Sequence, residues 1–155
     1  MVRRMQGLVI VAAMTVLAAL GLRNDFFEGC KEIERDAETQ PECVYVPPVW
    51  IENEPVRRFP YVALRKNPFR SGGYYNTVLN LTRASIRRIF MEKGIRVGAF
   101  VEFTTVRSSC KVTNTPVYSE KLCRPTSNKV NGLCQAGFEF HKPHRVLAVA
   151  CHKFP

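Results

Sequence analysis

Cys134-Gln-Ala-Gly-Phe-Glu-Phe140, His141-Lys-Pro-His-Arg145 and Val146-Leu-Ala-Val-Ala-Cys151 read as a strand, a turn and a returning strand. Folding this segment about its midpoint sets Cys134 opposite Cys151, a separation that a cross-strand disulfide spans with little strain. Two further cysteines, Cys110 and Cys123, precede it. The four cysteines of the C-terminal third are separated by 12, 10 and 16 residues. They describe a stapled β-rich end to the chain.

Outward from the hairpin, Val97-Gly-Ala-Phe-Val-Glu-Phe-Thr-Thr-Val106 alternates with period two, which puts Val97, Ala99, Val101 and Phe103 on one face of a strand. A further strand is expected over 128–134. Residues 74–93 carry Val78, Leu79, Leu81, Ile86, Ile89 and Phe90 at spacings that predict a helix, with Gly94 placed to end it. On that helix Arg83, Arg87 and Arg88 share an arc away from the apolar side. Asn80-Leu81-Thr82 is an N-glycosylation sequon. Residues 61–64 predict a short strand and 67–73 a loop. The sum is an α+β fold in which an antiparallel sheet packs on one helix.

The N-terminal third differs. A basic start, Met1-Val-Arg-Arg4, precedes an uncharged run from Gly7 to Leu22, and residues 1–21 read as a secretory signal peptide. Secretion makes disulfides the expected state of all six cysteines. Cys30 and Cys43 enclose a polar loop and are expected to pair with each other. Residues 22–54 hold nine acids and three bases, whereas 55–155 hold four acids and 18 bases. Such asymmetry fits an acidic arm folding back on a basic body, or a basic body built for anionic partners. Residues 22–60 are therefore expected to be an acidic extension and 61–155 the folded domain. Val46-Pro-Pro-Val-Trp50 favours an extended segment, and Arg57-Arg58 is a candidate processing site between arm and body.

Catalysis is not expected. The chain lacks Gly-x-Ser-x-Gly, His-Glu-x-x-His and the phosphate-loop pattern. An even cysteine count in a secreted chain leaves no thiol nucleophile. His141, His144 and His152 read as exposed turn and terminus residues rather than metal ligands, and no cofactor is expected.

The predicted helix running into a strand that ends Val106-Arg-Ser-Ser-Cys110, together with the four-cysteine spacing, resembles the cystatin superfamily. Asn131-Gly-Leu-Cys134 resembles a stretch of the cathelin-like prodomain of cathelicidins, and Gly98-Ala-Phe-Val-Glu-Phe103 resembles a strand of chemerin. The resemblance covers roughly residues 74–155. It implies a curved antiparallel sheet wrapped on one helix, with Cys110–Cys123 and Cys134–Cys151 as its two bridges. Inhibitory cystatins block papain-like cysteine proteases with a wedge made of an N-terminal glycine segment, a Gln-x-Val-x-Gly hairpin loop and a Pro-Trp hairpin loop. In this chain Gly94-Ile-Arg-Val-Gly98 stands in the first loop region, without the glutamine and with Arg96 for valine. Pro143-His144 stands where Pro-Trp would be. These are inhibitory loops in degenerate form, with Gly94, Val97, Gly98, Pro143 and His144 as their candidate residues.

The resulting expectation is a secreted, extracellular binding protein of innate defence or regulation. Its face of Arg83, Arg87, Arg88, Lys93 and Arg96 would dock to a glycosaminoglycan, lipopolysaccharide or anionic membrane, since arginine forks match sulfate and phosphate. The alternatives are a cysteine-protease inhibitor working through the degenerate loops, or a receptor ligand without independent activity. Nucleic acid is not an expected partner.

Overall fold

The structure is a computed structural model that describes residues 25–34, 38–39, 41–140 and 145–155. The expected signal peptide lies outside the described residues, as do His141, Pro143 and His144. In chain order the elements are β1 (Cys43–Tyr45), α1 (Pro48–Ile51), α2 (Glu54–Lys66), β2 (Arg70–Ser71), β3 (Tyr74–Met91), β4 (Gly94–Lys111), β5 (Gly132–Glu139) and β6 (Arg145–Lys153). The strands form one antiparallel sheet in the order β1-β3-β4-β5-β6, with β2 paired to β3. Helix α2 packs on one face of it. Among the described residues no helix is long and apolar enough to cross a membrane.

The helix lies elsewhere than the sequence predicted. Residues 74–93 form β3 and its turn, and the expected strand at 61–64 is part of α2. Two physical facts explain this. Val56, Phe59, Pro60, Ala63 and Leu64 fall at i, i+3, i+4, i+7 and i+8, a helical stripe, and the last four of them are buried. Pro60 disguises that stripe, because proline inside a helix removes a backbone donor. Asn53 starts the helix by accepting from the backbone N–H groups of Val56 and Arg57. Arg65 and Lys66 lie in its last turn, where the macrodipole favours cations.

In 74–93, by contrast, apolar residues point both ways. Ala84 pairs with Val101, Ile86 with Ala99, and Phe90 with Ile95 on the helix-facing side. Ser85, Arg87 and Ile89 point to the other side, so a helical period and a two-sided strand share the same letters. Gly94 ends a two-residue hairpin turn, not a helix; its φ of +125° is open to glycine.

The predicted face of β4 stands. Ala99, Val101 and Phe103 are buried in one cluster with Phe59, Ala63, Leu64, Ala136 and Phe138. Val97 is exposed, because it lies beyond the reach of α2. Irregular chain occupies 128–131, and the expected strand there begins only at Gly132. The hairpin register sets Cys134 opposite Cys151, and bridges join Cys30–Cys43, Cys110–Cys123 and Cys134–Cys151. The segment between β4 and β5 is pinned by buried Tyr118, whose hydroxyl lies 2.8 Å from Thr77 Oγ1. Burial pushes that phenol up to about 12.

A domain start at residue 61 falls inside α2, and β1 is hydrogen-bonded to β3. The folded unit therefore includes much of the segment expected to be an extension. Pro48 opens α1 rather than continuing an extended run. Arg57-Arg58 lies within α2, and a cut there would sever Phe59 from the helix start while its ring packs on Phe138 at 4.6 Å.

Gly132 marks a tight point. A Cβ there would stand 2.9 Å from the His152 carbonyl oxygen, 2.9 Å from Thr105 Oγ1 and 2.6 Å from the Phe69 ring. Gly132→Ala is expected to destabilise the protein by about 1–2 kcal/mol through overpacking, read as a lowered thermal midpoint.

Candidate functional site: an apolar edge and a clamped arm

At the end of the sheet where β3 turns into β4, the helix-facing side runs past α2 and stays mainly apolar, with Arg88 as its one charged side chain among the described residues of β3 there. The facing pairs along it are Ile86–Ala99, Arg88–Val97 and Phe90–Ile95. Phe90 and Ile95 are each 60% exposed. The second hairpin reaches the same edge: the Phe140 backbone N–H donates to the Val97 carbonyl at 2.9 Å, and the Phe140 ring is half exposed beside Phe59. A cavity of about 370 Å³ opens behind this strip, lined mainly by apolar groups including Ile33, Val46, Trp50, Phe59, Ile86 and Phe140. Single exposed apolar side chains are ordinary, whereas Phe90, Ile95, Val97 and Phe140 are exposed together at one edge of the sheet.

Of the candidate loop residues, Gly94 to Gly98 form the start of β4 rather than a loop, and the turn itself is Glu92-Lys93. Val97 belongs to the apolar strip. Gly98 is buried, where a Cβ would meet the Ile89 side chain at 2.6 Å. Arg96 points to the opposite face and is ion-paired with the buried carboxylate of Glu139. Ile86 and Phe90 belong to the apolar side of the helix expected from sequence, Ile95 falls inside the candidate loop 94–98 without being one of its named residues, and Phe140 ends the expected hairpin strand; the signal was an apolar pattern longer than α2 can cover.

The expected anion-binding array does not assemble. Placed on a strand, Arg83 and Arg87 point to the face away from α2, while Arg88 points to the other side. The acidic arm occupies the first two. Arg83 contacts Asp25 at 3.2 Å and Glu102 at 2.8 Å, and its guanidinium lies over the Phe27 ring. Arg87 donates to the backbone carbonyls of Phe26 and Glu28. With Arg96 bonded to Glu139, Arg83, Arg87 and Arg96 are all committed within the chain. Lys93 is exposed on the hairpin turn.

Gln135 completes the network, donating from Nε2 to Asp25 Oδ1 and Glu102 Oε2 at 2.9 and 2.8 Å. Burial alone would raise the Glu102 carboxyl. Hydrogen bonds from Arg83, Gln135 and Thr82 outweigh it, so Glu102 titrates below its ordinary 4.5. Asp25 is likewise held down, with the Phe27 N–H, Gln135 and Arg83 outweighing burial. The Glu102 bond first and foremost raises the Arg83 pKa. The arm is thus held by charge at Asp25 and covalently at Cys30–Cys43; its first residues, Asp25 to Glu28, lie over the sheet face opposite α2, while Ile33 reaches the cavity on the α2 side. Asn80 of the sequon is exposed on β3, a strand rather than the expected helix.

Element order, sheet register and the bridges define a cystatin-like fold. Comparison with known proteins agrees. Mialostatin of Ixodes ricinus is 36% identical over 61 residues, which are 39% of this chain and 40% of that protein's length. The crystal structure of mialostatin, a gut cystatin from that hard tick, superposes with a TM-score of 0.55 at 25% identity, over 72% of this chain and 97% of that one. A salivary cystatin of the soft tick Ornithodoros moubata gives 0.54 at 16% identity, over 71% and 95%. Dimeric human cystatin F gives 0.53 at 13% identity, over 80% and 97%. The latter two show the fold alone. No protein-family model matches. These relatives support the cystatin superfamily as a whole and do not bear on the narrower likeness to cathelicidin prodomains or chemerin.

Proposed function

We propose that this protein is an extracellular inhibitor of papain-like cysteine proteases that enters the protease cleft with the β3–β4 hairpin tip. The observation that carries the reading is the exposed apolar strip of Phe90, Ile95, Val97 and Phe140 at the edge where both hairpins turn. The three disulfides suit an oxidising compartment, and the likeness to mialostatin, a gut cystatin, supports the class of activity.

The chemistry is occlusion rather than reaction. A hairpin tip that buries apolar side chains in a cleft gains roughly 1.5–3 kcal/mol for each one fully removed from water. Arg96 does not oppose this, since it points away from the strip and its charge is already paired with Glu139. The arm takes no part as a free N-terminal prong, because Cys30–Cys43 and Asp25–Arg83 draw it over the other face.

Titration of a papain-like protease with the disulfide-bonded protein is expected to abolish activity with an inhibition constant below about 1 μM, some 8 kcal/mol of binding. A protease left fully active at ten times that concentration would sink the reading.

A further inference from the structure

Cations outside the network of Arg83, Arg87 and Arg96 gather on another part of the surface. On the solvent side of α2, Arg57, Arg58 and Arg65 line a concave groove of about 540 Å³ with Lys121 from the segment joining β4 to β5. Its acidic lining is Glu54 and Glu120. Glu54 is bonded to Arg58 at 3.0 Å. Arg124 follows Lys121 on the segment joining β4 to β5, and Lys66 follows Arg65 at the end of the helix. All six cations are exposed. Among the described residues, Arg58 alone of the six is held in an ion pair.

We infer that this groove binds a linear sulfated polysaccharide, independently of the protease-binding edge. Three observations choose that ligand. First, two of the cations are spaced along one helix: residues 57 and 65 stand about 12 Å apart at 1.5 Å per residue. A chain carrying repeated anions can engage both ends at once. Second, the groove is concave, so a thin polymer reaches its floor where a flat bilayer would touch only the rim. Third, the arm's anchoring carboxylate, Asp25, is engaged on the opposite face of the sheet with Arg83, and does not shield this groove. Arginine supplies forked, permanently charged donors that match sulfate oxygens. The disulfides suit a compartment where sulfated polysaccharides, rather than nucleic acids, are the abundant polyanions.

The probe is heparin. The salt dependence of its affinity is measured beside retention on a sulfopropyl cation exchanger, for three proteins. These are the wild type, Arg57→Ser/Arg65→Ser/Lys121→Ser, and a charge-matched control, Lys93→Ser/Arg145→Ser/Lys153→Ser. All substituted residues are exposed, and thermal midpoints check that each variant is folded. The groove variant is expected to lose about three units from the slope of log affinity against log salt, one per cation removed from contact. The control is expected to keep the wild-type slope on heparin while matching the groove variant on the exchanger. Glu120→Gln, which removes an opposing charge from the groove, is expected to strengthen heparin binding. Equal losses for both triple variants on heparin would mean that only bulk charge is read, and would overturn the inference. So would a wild type that heparin holds no longer than the exchanger does.

Discussion

Replacing Phe90 and Ile95 together by serine is expected to weaken protease inhibition by about 1,000-fold, two apolar anchors at about 2 kcal/mol each. The two side chains face each other across the β3–β4 hairpin, one pair short of its turn. Each is 60% exposed, so little of the core depends on them, and the thermal midpoint should move by no more than a few degrees. Serine is chosen because it removes apolar area without setting like charges opposite each other, which would destabilise the hairpin itself. Leu122, equally apolar and exposed but on the segment joining β4 to β5, supplies the control: Leu122→Ser should leave inhibition unchanged. An inhibition constant that stays at the wild-type value in the double variant would show that the hairpin tip is not the binding element. Comparable loss in the Leu122 variant would show that surface apolarity in general, rather than this strip, is responsible.

Arg83→Met is expected to destabilise the protein by about 3 kcal/mol at neutral pH. The reason is Glu102. Its side chain is 11% exposed, and Arg83 is its cationic partner at 2.8 Å. Removing one member of a buried pair leaves an uncompensated charge, which costs about 3–5 kcal/mol. The lower end applies because Arg83 is itself about one third exposed, and water screens part of the interaction. The pH dependence has a definite sign. Glu102 titrates below its ordinary 4.5 in the folded protein, so its stabilisation is complete above that value. It is lost as pH falls through the depressed folded value. In Arg83→Met the carboxyl keeps only the burial effect and two neutral donors, which shifts its titration upward. The deficit relative to wild type should therefore shrink as pH falls, starting where the variant's raised carboxyl takes up its proton and closing only once the wild type's depressed carboxyl is protonated too. Denaturant midpoints measured from pH 7 down to pH 3 test this; a deficit that is constant over the range would mean that Arg83 acts through packing on Phe27 rather than through charge. The same variant should loosen the arm at Asp25, seen as faster proteolysis ahead of Cys30.

Residues 74–93 offered a helical period because a strand buried on one face and covered by an arm on the other carries apolar residues in both registers. What decides between the two is pairing with residues 94–111, a contact that no local window contains. Residues 56–64 hold a cleaner helical stripe than 74–93 do, and Pro60 together with the dibasic pair drew attention from it. The misplaced helix then misplaced the arginines. On a helix Arg83, Arg87 and Arg88 would share an arc. On a strand they alternate, and two of them meet the acidic arm.

By itself the sequence determined what depends on short spacing and on solvent preference. The period-two face of Ala99, Val101 and Phe103 and the facing of Cys134 and Cys151 follow from the alternation of a strand and the symmetry of a hairpin. The α+β class and the likeness to cystatins follow from cysteine spacing joined to one long strand. Tertiary structure alone decided which segment became the helix, where the acidic arm lies and which cations remain free. Those outcomes turn on contacts between residues far apart in the chain: Asp25 with Gln135, Phe59 with Phe138, Arg96 with Glu139. A charge is spent or left available only once the fold has chosen its neighbour.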